Sequence, residues 1–381
     1  MHEILVIGGI LLLGGVFCEL FLGLVYCTFR NGRTWYALAR SSVYQFDSRT
    51  GYSYRPSLTY SNPTKPLPNA PRRILYRDHR TGPDGFLFCE RIADISQDYK
   101  LIFCLGGSTT AGGFESRYDL SYPAQLDRLV RPLGYRAINA GLGGGRSIHE
   151  VLLLKERILR YSPHTVILFS GYNDFEDPAD FPAMDSSDPF SHCLSRDLPR
   201  STLRQAMNGS ALARYIFRAW DLVTKDKARA ETASPDQIAA MGRVLDDGGW
   251  LGRWRAHAIE MAQLCSAQGA QLRILSHASP VFPGARPADK ELADRELNMV
   301  GRYDLFLRYL NDIEQVSREV CAQTDARFLD VCPMFEAECA ADTQDEAVRK
   351  RYAFFVDRMH FSDVGNEMIA RCIFDALKGE L

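Results

Sequence analysis

Short stretches far apart in the chain carry the residue types that acyl-transfer chemistry needs. In LGGSTTAGG, Gly106 and Gly107 let the backbone turn sharply, and Ser108 stands where a helix or turn begins, its hydroxyl exposed and its N–H free to donate. A glycine-rich turn capped by serine accounts for that stretch just as simply. In INAGLGGGRS, Asn139 precedes Gly143, Gly144 and Gly145, whose N–H groups can approach a ligand closely, as an oxyanion hole requires. In FSGYNDFED, Asn173 could aim its amide NH2 at a developing oxyanion, although Asn-Asp is also a common turn former. In VDRMHFSDVGN, His360 could take a proton and return it while Asp357 holds the ring tautomer. Each stretch alone is commonplace. Their joint occurrence in this order, each at the end of a regular element or shortly before the next, points to a nucleophile, oxyanion donors and a base.

Other chemistries fail on spacing. The first loop lacks the Gly-Lys-Ser/Thr ending of a phosphate loop, and Thr110 stands where a Gly-x-Ser-x-Gly elbow needs its last glycine, which argues against an α/β-hydrolase. Arg146 stands where a dinucleotide fingerprint needs its third glycine. The eight histidines show no His-Glu-x-x-His or Cys/His ligand spacing, so neither metal nor cofactor is expected. Arg146 could bind an anionic substrate group, but a solvated or salt-bridged arginine is the plainer reading.

The elements that must position these loops follow from the apolar pattern. From Tyr99 onward short apolar runs alternate with helical spacing, the signature of an α/β fold: a mainly parallel five-stranded sheet covered by helices on both faces. The strands are read as Lys100–Leu105, Arg136–Asn139, Thr165–Ser170, Gln271–Ser276 and Arg327–Val331. Ile148, Val151, Leu152, Ile158 and Leu159 recur at helical spacing, as do Trp254, Ile259, Met261 and Leu264, and a last helix is expected over Val364–Leu377. In such sheets ligands bind beyond the carboxyl ends of the strands, where these loops lie. The catalytic unit is thus expected over 99–381, with an insertion or lid at about 175–249 that holds a helical piece around Ala211–Val223. Residues 30–98, rich in Pro, Gly, Tyr and Arg, read as an extended strap or linker with a few short strands.

Residues 4–29 are apolar except for Glu19, long enough to cross roughly 30 Å of hydrocarbon at 1.5 Å per residue. An uncleaved transmembrane anchor is expected, because no basic segment precedes the run and no small-x-small cleavage site follows it. Glu19 sits protonated, faces a partner helix or marks where the helix leaves the hydrocarbon; these stay open. Arg30, Arg33 and Arg40 follow the span, which by the positive-inside rule would put the catalytic unit in the cytosol. A net charge of −2 with scattered Lys and Arg gives no reason to expect a nucleic-acid partner. The ten cysteines follow no disulfide or zinc spacing, and Cys104, Cys265 and Cys372 read as small core residues.

Taken together, the region from about Arg73 to Leu377 resembles the SGNH (GDSL-like) hydrolase superfamily, in its GGST branch. The resemblance assigns Ser108 as nucleophile, Gly144 and Asn173 as oxyanion donors beside the Ser108 N–H, and Asp357 with His360 as the remaining catalytic pair. Gly107 departs from the family pattern, standing where the name-giving motif has Asp. The resemblance implies a three-layer α/β/α sandwich of SGNH or flavodoxin-like type and hydrolysis of a carboxylic ester through an acyl-serine. A small-molecule, glycan or lipid ester is the expected substrate. Alternatives are an O-acyltransferase or deacetylase acting on a glycan or lipid, and a non-catalytic membrane-tethered binding protein. Anchored members commonly present this domain outside the cytoplasm, so an extracytoplasmic site is expected against the flanking charges.

Overall fold

The computed structural model describes residues 44–63, 76–175 and 235–379, apart from Phe88, 113–117, Asn298 and Val300, together with residues 14, 15, 17, 18 and 21. The expected anchor over 4–29 therefore lies almost wholly outside the described residues, as does the helical piece around Ala211–Val223. Among the described residues no helix is long and apolar enough to cross a membrane.

The strap forms two hairpins: β1 (Tyr44–Asp47) with β2 (Gly51–Tyr54), and β3 (Thr59–Pro63) with β4 (Tyr76–Arg80). The first is closed by local chemistry. Asp47 Oδ1 accepts the N–H of Arg49 at 2.9 Å, an Asx turn, and Gly51 takes φ 81°, which a glycine adopts freely. Period-2 alternation then sets Tyr52 and Tyr54 on one face, and both are buried.

Five strands, β5 (Lys100–Gly106), β6 (Tyr135–Gly141), β7 (Thr165–Phe169), β8 (Gln271–Leu275) and β9 (Arg327–Leu329), make one sheet in the order β6-β5-β7-β8-β9, parallel throughout. Each predicted strand lies where the apolar runs put it. Ile102, Phe103, Cys104 and Leu105, like Val166, Ile167 and Leu168, are fully buried, because a central parallel strand is covered on both faces and so needs an unbroken apolar run. The chain leaves β5 toward β6 and leaves β7 toward β8, so the two connections diverge. The crevice beyond the carboxyl ends of β5 and β7 is the switch point where such sheets bind ligands.

The helices are α1 (Ser108–Ala111), α2 (Tyr122–Val130), α3 (Ser147–Leu153), α4 (Pro235–Asp247), α5 (Gly249–Ala267), α6 (Pro287–Leu297), α7 (Tyr303–Gln323), α8 (Cys332–Cys339), α9 (Gln344–Ala353) and α10 (Asp363–Lys378). One layer is built on α2 against α10 and β6, the other on α5 against α3, α7 and β8. Asn366 of α10 is buried and its Oδ1 accepts the Tyr122 N–H at 3.0 Å, so α10 supplies a partner that the start of α2 lacks within itself. Beyond α3 the chain makes a π-helical turn over Leu154–Ile158 before β7. The part of the expected insertion that is described is α4, whose Met241 and Leu245 enter the main core.

Candidate active site

Three of the predicted loops meet at the carboxyl edge of the sheet, and the tail before α10 comes to join them. Ser108 opens α1 straight after β5. Gly106 is required there, since a Cβ would run into the Phe169 carbonyl and the Thr110 hydroxyl. Gly107 answers to the third loop: a Cβ would stand 2.7 Å from Asn173 Nδ2 and 3.3 Å from the Gly145 carbonyl. The departure at Gly107 thus leaves room for the Asn173 amide in this chain.

Asp357 and His360 are presented by a tight loop between aromatic anchors. Phe355 and Phe361 pair across an antiparallel bridge with ring centroids 5.0 Å apart, both buried, and Val356 N–H donates to the His360 carbonyl at 2.7 Å. The side chains then line up in series: His360 Nε2 lies 2.8 Å from Ser108 Oγ, and His360 Nδ1 lies 2.8 Å from Asp357 Oδ2. The other carboxylate oxygen, Oδ1, accepts the N–H groups of Met359 and His360, each at 2.9 Å. Burial by itself would push the Asp357 carboxyl up. The neighbouring His360 and these hydrogen bonds outweigh it and hold the carboxyl well below the usual carboxylate range. Asp357 therefore stays ionised beside the ring.

The glycine loop after β6 is tied on both sides. Leu142 N–H donates to the Gly106 carbonyl at 2.8 Å, and Gly145 N–H to the Leu142 carbonyl at 2.6 Å. Gly143 N–H is taken by the Tyr54 hydroxyl at 3.2 Å, whereas Gly144, at φ 72°, has no partner for its N–H among the described residues. Asn173 Nδ2 donates to the Gly145 carbonyl at 2.8 Å. That bond uses one amide hydrogen and aims the other.

Behind the loops lies a buried polar cluster that no spacing in the sequence announced. Asp174 accepts both the N–H and the hydroxyl of Ser147, and the Ser147 hydroxyl meets His257 Nδ1 at 2.7 Å. Ser170 donates to Glu150. Burial pushes Asp174 up to about 6, against the pull of its Ser147 hydrogen bonds and the charge of Arg146. Burial, then the nearness of Asp174, pushes Glu150 up as well. Arg146 is buried at 3 % exposure, and its charge acts on Asp174 of this cluster. The eight described cysteines are unpaired as disulfides, and no cluster of His, Cys, Asp or Glu among the described residues could hold a metal ion.

A serine, histidine and aspartate in hydrogen-bonded series at the switch point of a parallel α/β sheet have the layout of a serine hydrolase. The profile of the GDSL-like Lipase/Acylhydrolase family matches residues 104–368, and the chain belongs to that family. The match begins inside β5 and leaves the strap and its hairpins outside. No curated protein sequence matches the chain. Among solved structures, it is similar to a GDSL-like lipase from Bacteroides thetaiotaomicron (13% identity, 76% of this chain and 95% of that one, TM-score 0.39). It is also similar to a catalytic mutant of an acetylxylan esterase from Geobacillus stearothermophilus (14%, 72% and 93%, 0.42).

Proposed function

We propose that the protein hydrolyses carboxylic esters through an acyl-Ser108 intermediate. The unbroken series Ser108 Oγ, His360, Asp357, with both gaps 2.8 Å, carries this reading. Ser108 Oγ attacks the ester carbonyl as His360 Nε2 takes its proton, and the ionised Asp357 stabilises the imidazolium that forms. The N–H of Ser108, the N–H of Gly144 and the free amide hydrogen of Asn173 receive the oxyanion. His360 then gives its proton to the leaving alcohol, takes one from water, and the hydroxide so formed releases the acid. Asn173, pinned through the Gly145 carbonyl, needs no reorganisation as charge develops.

The test is labelling of the protein with a fluorophosphonate probe, followed by p-nitrophenol release from its acetyl ester, in wild type, Ser108→Ala and His360→Ala. Labelling and turnover lost in both variants are expected. A folded wild type that neither labels nor turns over would refute the reading, and acyl transfer to an added alcohol in preference to water would move the protein to the acyltransferases. The substrate class remains a small-molecule, glycan or lipid ester. The apolar run over 4–29 supports a single membrane anchor; placing the catalytic unit outside the cytoplasm follows the resemblance to anchored family members, against the arginines that follow the run. Retention in the membrane after alkaline extraction, with a C-terminal reporter inactive in the cytosol, is the expected result.

A further inference from the structure

Two tyrosine hydroxyls from the first hairpin, which lies ahead of the family-matched region, close on the peptide groups flanking Gly143. Tyr54 Oη accepts the Gly143 N–H at 3.2 Å, and Tyr52 Oη donates to the Gly143 carbonyl at 3.2 Å. The second bond matters more. The Gly143 carbonyl and the Gly144 N–H belong to one planar trans peptide unit, so they point in opposite directions. Tying the carbonyl to Tyr52 turns the Gly144 N–H away from the hairpin.

Such a unit needs tying. Between two glycines, with Gly144 at φ 72°, a peptide plane meets little steric resistance to flipping. A flip would turn a carbonyl oxygen toward the place where the N–H is needed. The hairpin itself is held firmly: Tyr52 is fully buried and Tyr54 nearly so, and with Leu87, Ala111 and Leu142 they form an apolar cluster separate from the main core. Ala111 ends the nucleophile's helix and Leu142 opens the glycine loop, so the cluster braces both. Tyr52 also sets its ring edge-on to His149, 5.0 Å away, whose Nδ1 accepts the Arg146 N–H at 3.2 Å. Gly143 has no side chain because one would strike the Tyr44 hydroxyl.

We infer that Tyr52 is a positioning residue for the ester hydrolysis: its hydroxyl locks the Gly143–Gly144 peptide with the Gly144 N–H toward the oxyanion, and Tyr54 braces the preceding peptide. The hairpin is then part of the catalytic unit. The inference rests on the reading of Gly144 as an oxyanion donor.

The experiment uses the full chain as wild type, Tyr52→Phe and Tyr54→Phe, each of which keeps the ring and its packing. With p-nitrophenyl acetate, and active sites counted by titration, Tyr52→Phe is expected to lower kcat per folded site about tenfold, a partial loss of one oxyanion donor. KM should stay within about twofold, the split expected when an interaction made only in the transition state is lost. The rate of fluorophosphonate inactivation should fall by the same factor, because its phosphoryl oxygen uses the same donors. Tyr54→Phe should do the same more weakly. Wild-type kcat and inactivation rate in Tyr52→Phe would overturn the inference, as would a loss of activity explained wholly by fewer folded sites. An inert wild type would instead overturn the hydrolase reading, and the inference with it.

Discussion

Replacing Asp357 by Asn tests the site at its most constrained point. Three donors converge on this carboxylate: the N–H groups of Met359 and His360 on Oδ1, and the His360 ring on Oδ2. An asparagine has one acceptor oxygen. Held by the two backbone donors, that oxygen stays where Oδ1 was, and the NH2 faces His360 Nδ1. The ring must then accept at Nδ1 and carry its proton on Nε2, 2.8 Å from Ser108 Oγ, where it can no longer take the serine proton. A wrong tautomer of this kind costs about 10⁴ in kcat in a serine protease, or about 5 kcal/mol of barrier. The same size of loss is expected here, with KM little changed and the fold intact. Initial rates with p-nitrophenyl acetate at pH 7 to 8 measure it. An Asn variant within tenfold of wild type would refute the reasoning, because neither the charge nor the tautomer would then matter. A second signature concerns stability. The folded carboxyl is lowered, so its contribution is present above the ordinary aspartate value of about 4 and is lost as pH falls through the folded one. Its side chain keeps 25% of its surface, so the effect is modest, and the Asn variant should lose less stability than wild type on acidification.

Removing the proposed third oxyanion donor with Asn173→Ala is expected to lower kcat by about 10² to 10³ with KM little changed; a smaller loss than tenfold in steady-state rates would remove Asn173 from the site. Gly107→Ala should act through the same amide, since its Cβ would lie 2.7 Å from Asn173 Nδ2; a fall in kcat of about tenfold or more is expected, and wild-type turnover would show that the amide has slack. Glu150→Gln addresses the buried cluster. Both carboxyls there are raised on folding, so wild-type stability should fall as pH rises from about 4 through the Asp174 value of about 6 and beyond. The urea midpoint of the Gln variant should drop less between pH 5 and pH 8, and equal drops would mean that Glu150 is not the titrating group.

Strands and loops were legible to different depths. The five strands stand within a residue or two of the apolar runs because a parallel strand buried on both faces announces itself as a short continuous run. The last helix was equally plain: Ser362 caps it through the Gly365 N–H, and Ile369, Ala370 and Ile373 repeat on its buried face. The helices α6 and α9 were not, since each shows only a few buried positions in a polar sequence. They are held by tertiary bonds such as Gln344 to Asp289 at 2.8 Å and Tyr352 to the Asp289 carbonyl at 2.9 Å. The buried Glu150–Asp174 cluster was hidden too, because acidic residues at helix and loop positions normally face water.

What the chain determined by itself was the order of chemical parts: a serine, an asparagine and an Asp/His pair, each placed where a strand or a helix has just ended or is about to begin. Local rules suffice for that, because glycine turns, apolar runs and caps act over a few residues. Which glycine N–H stays unclaimed, why position 107 carries no side chain, and what Arg146 faces were decided only when distant segments met. Tyr52 and Tyr54 alternate in GYSY as in any strand. Nothing in that spacing tells that their hydroxyls end on the peptide groups around Gly143, since a contact across about 90 residues is set by how the hairpin docks and not by its own periodicity.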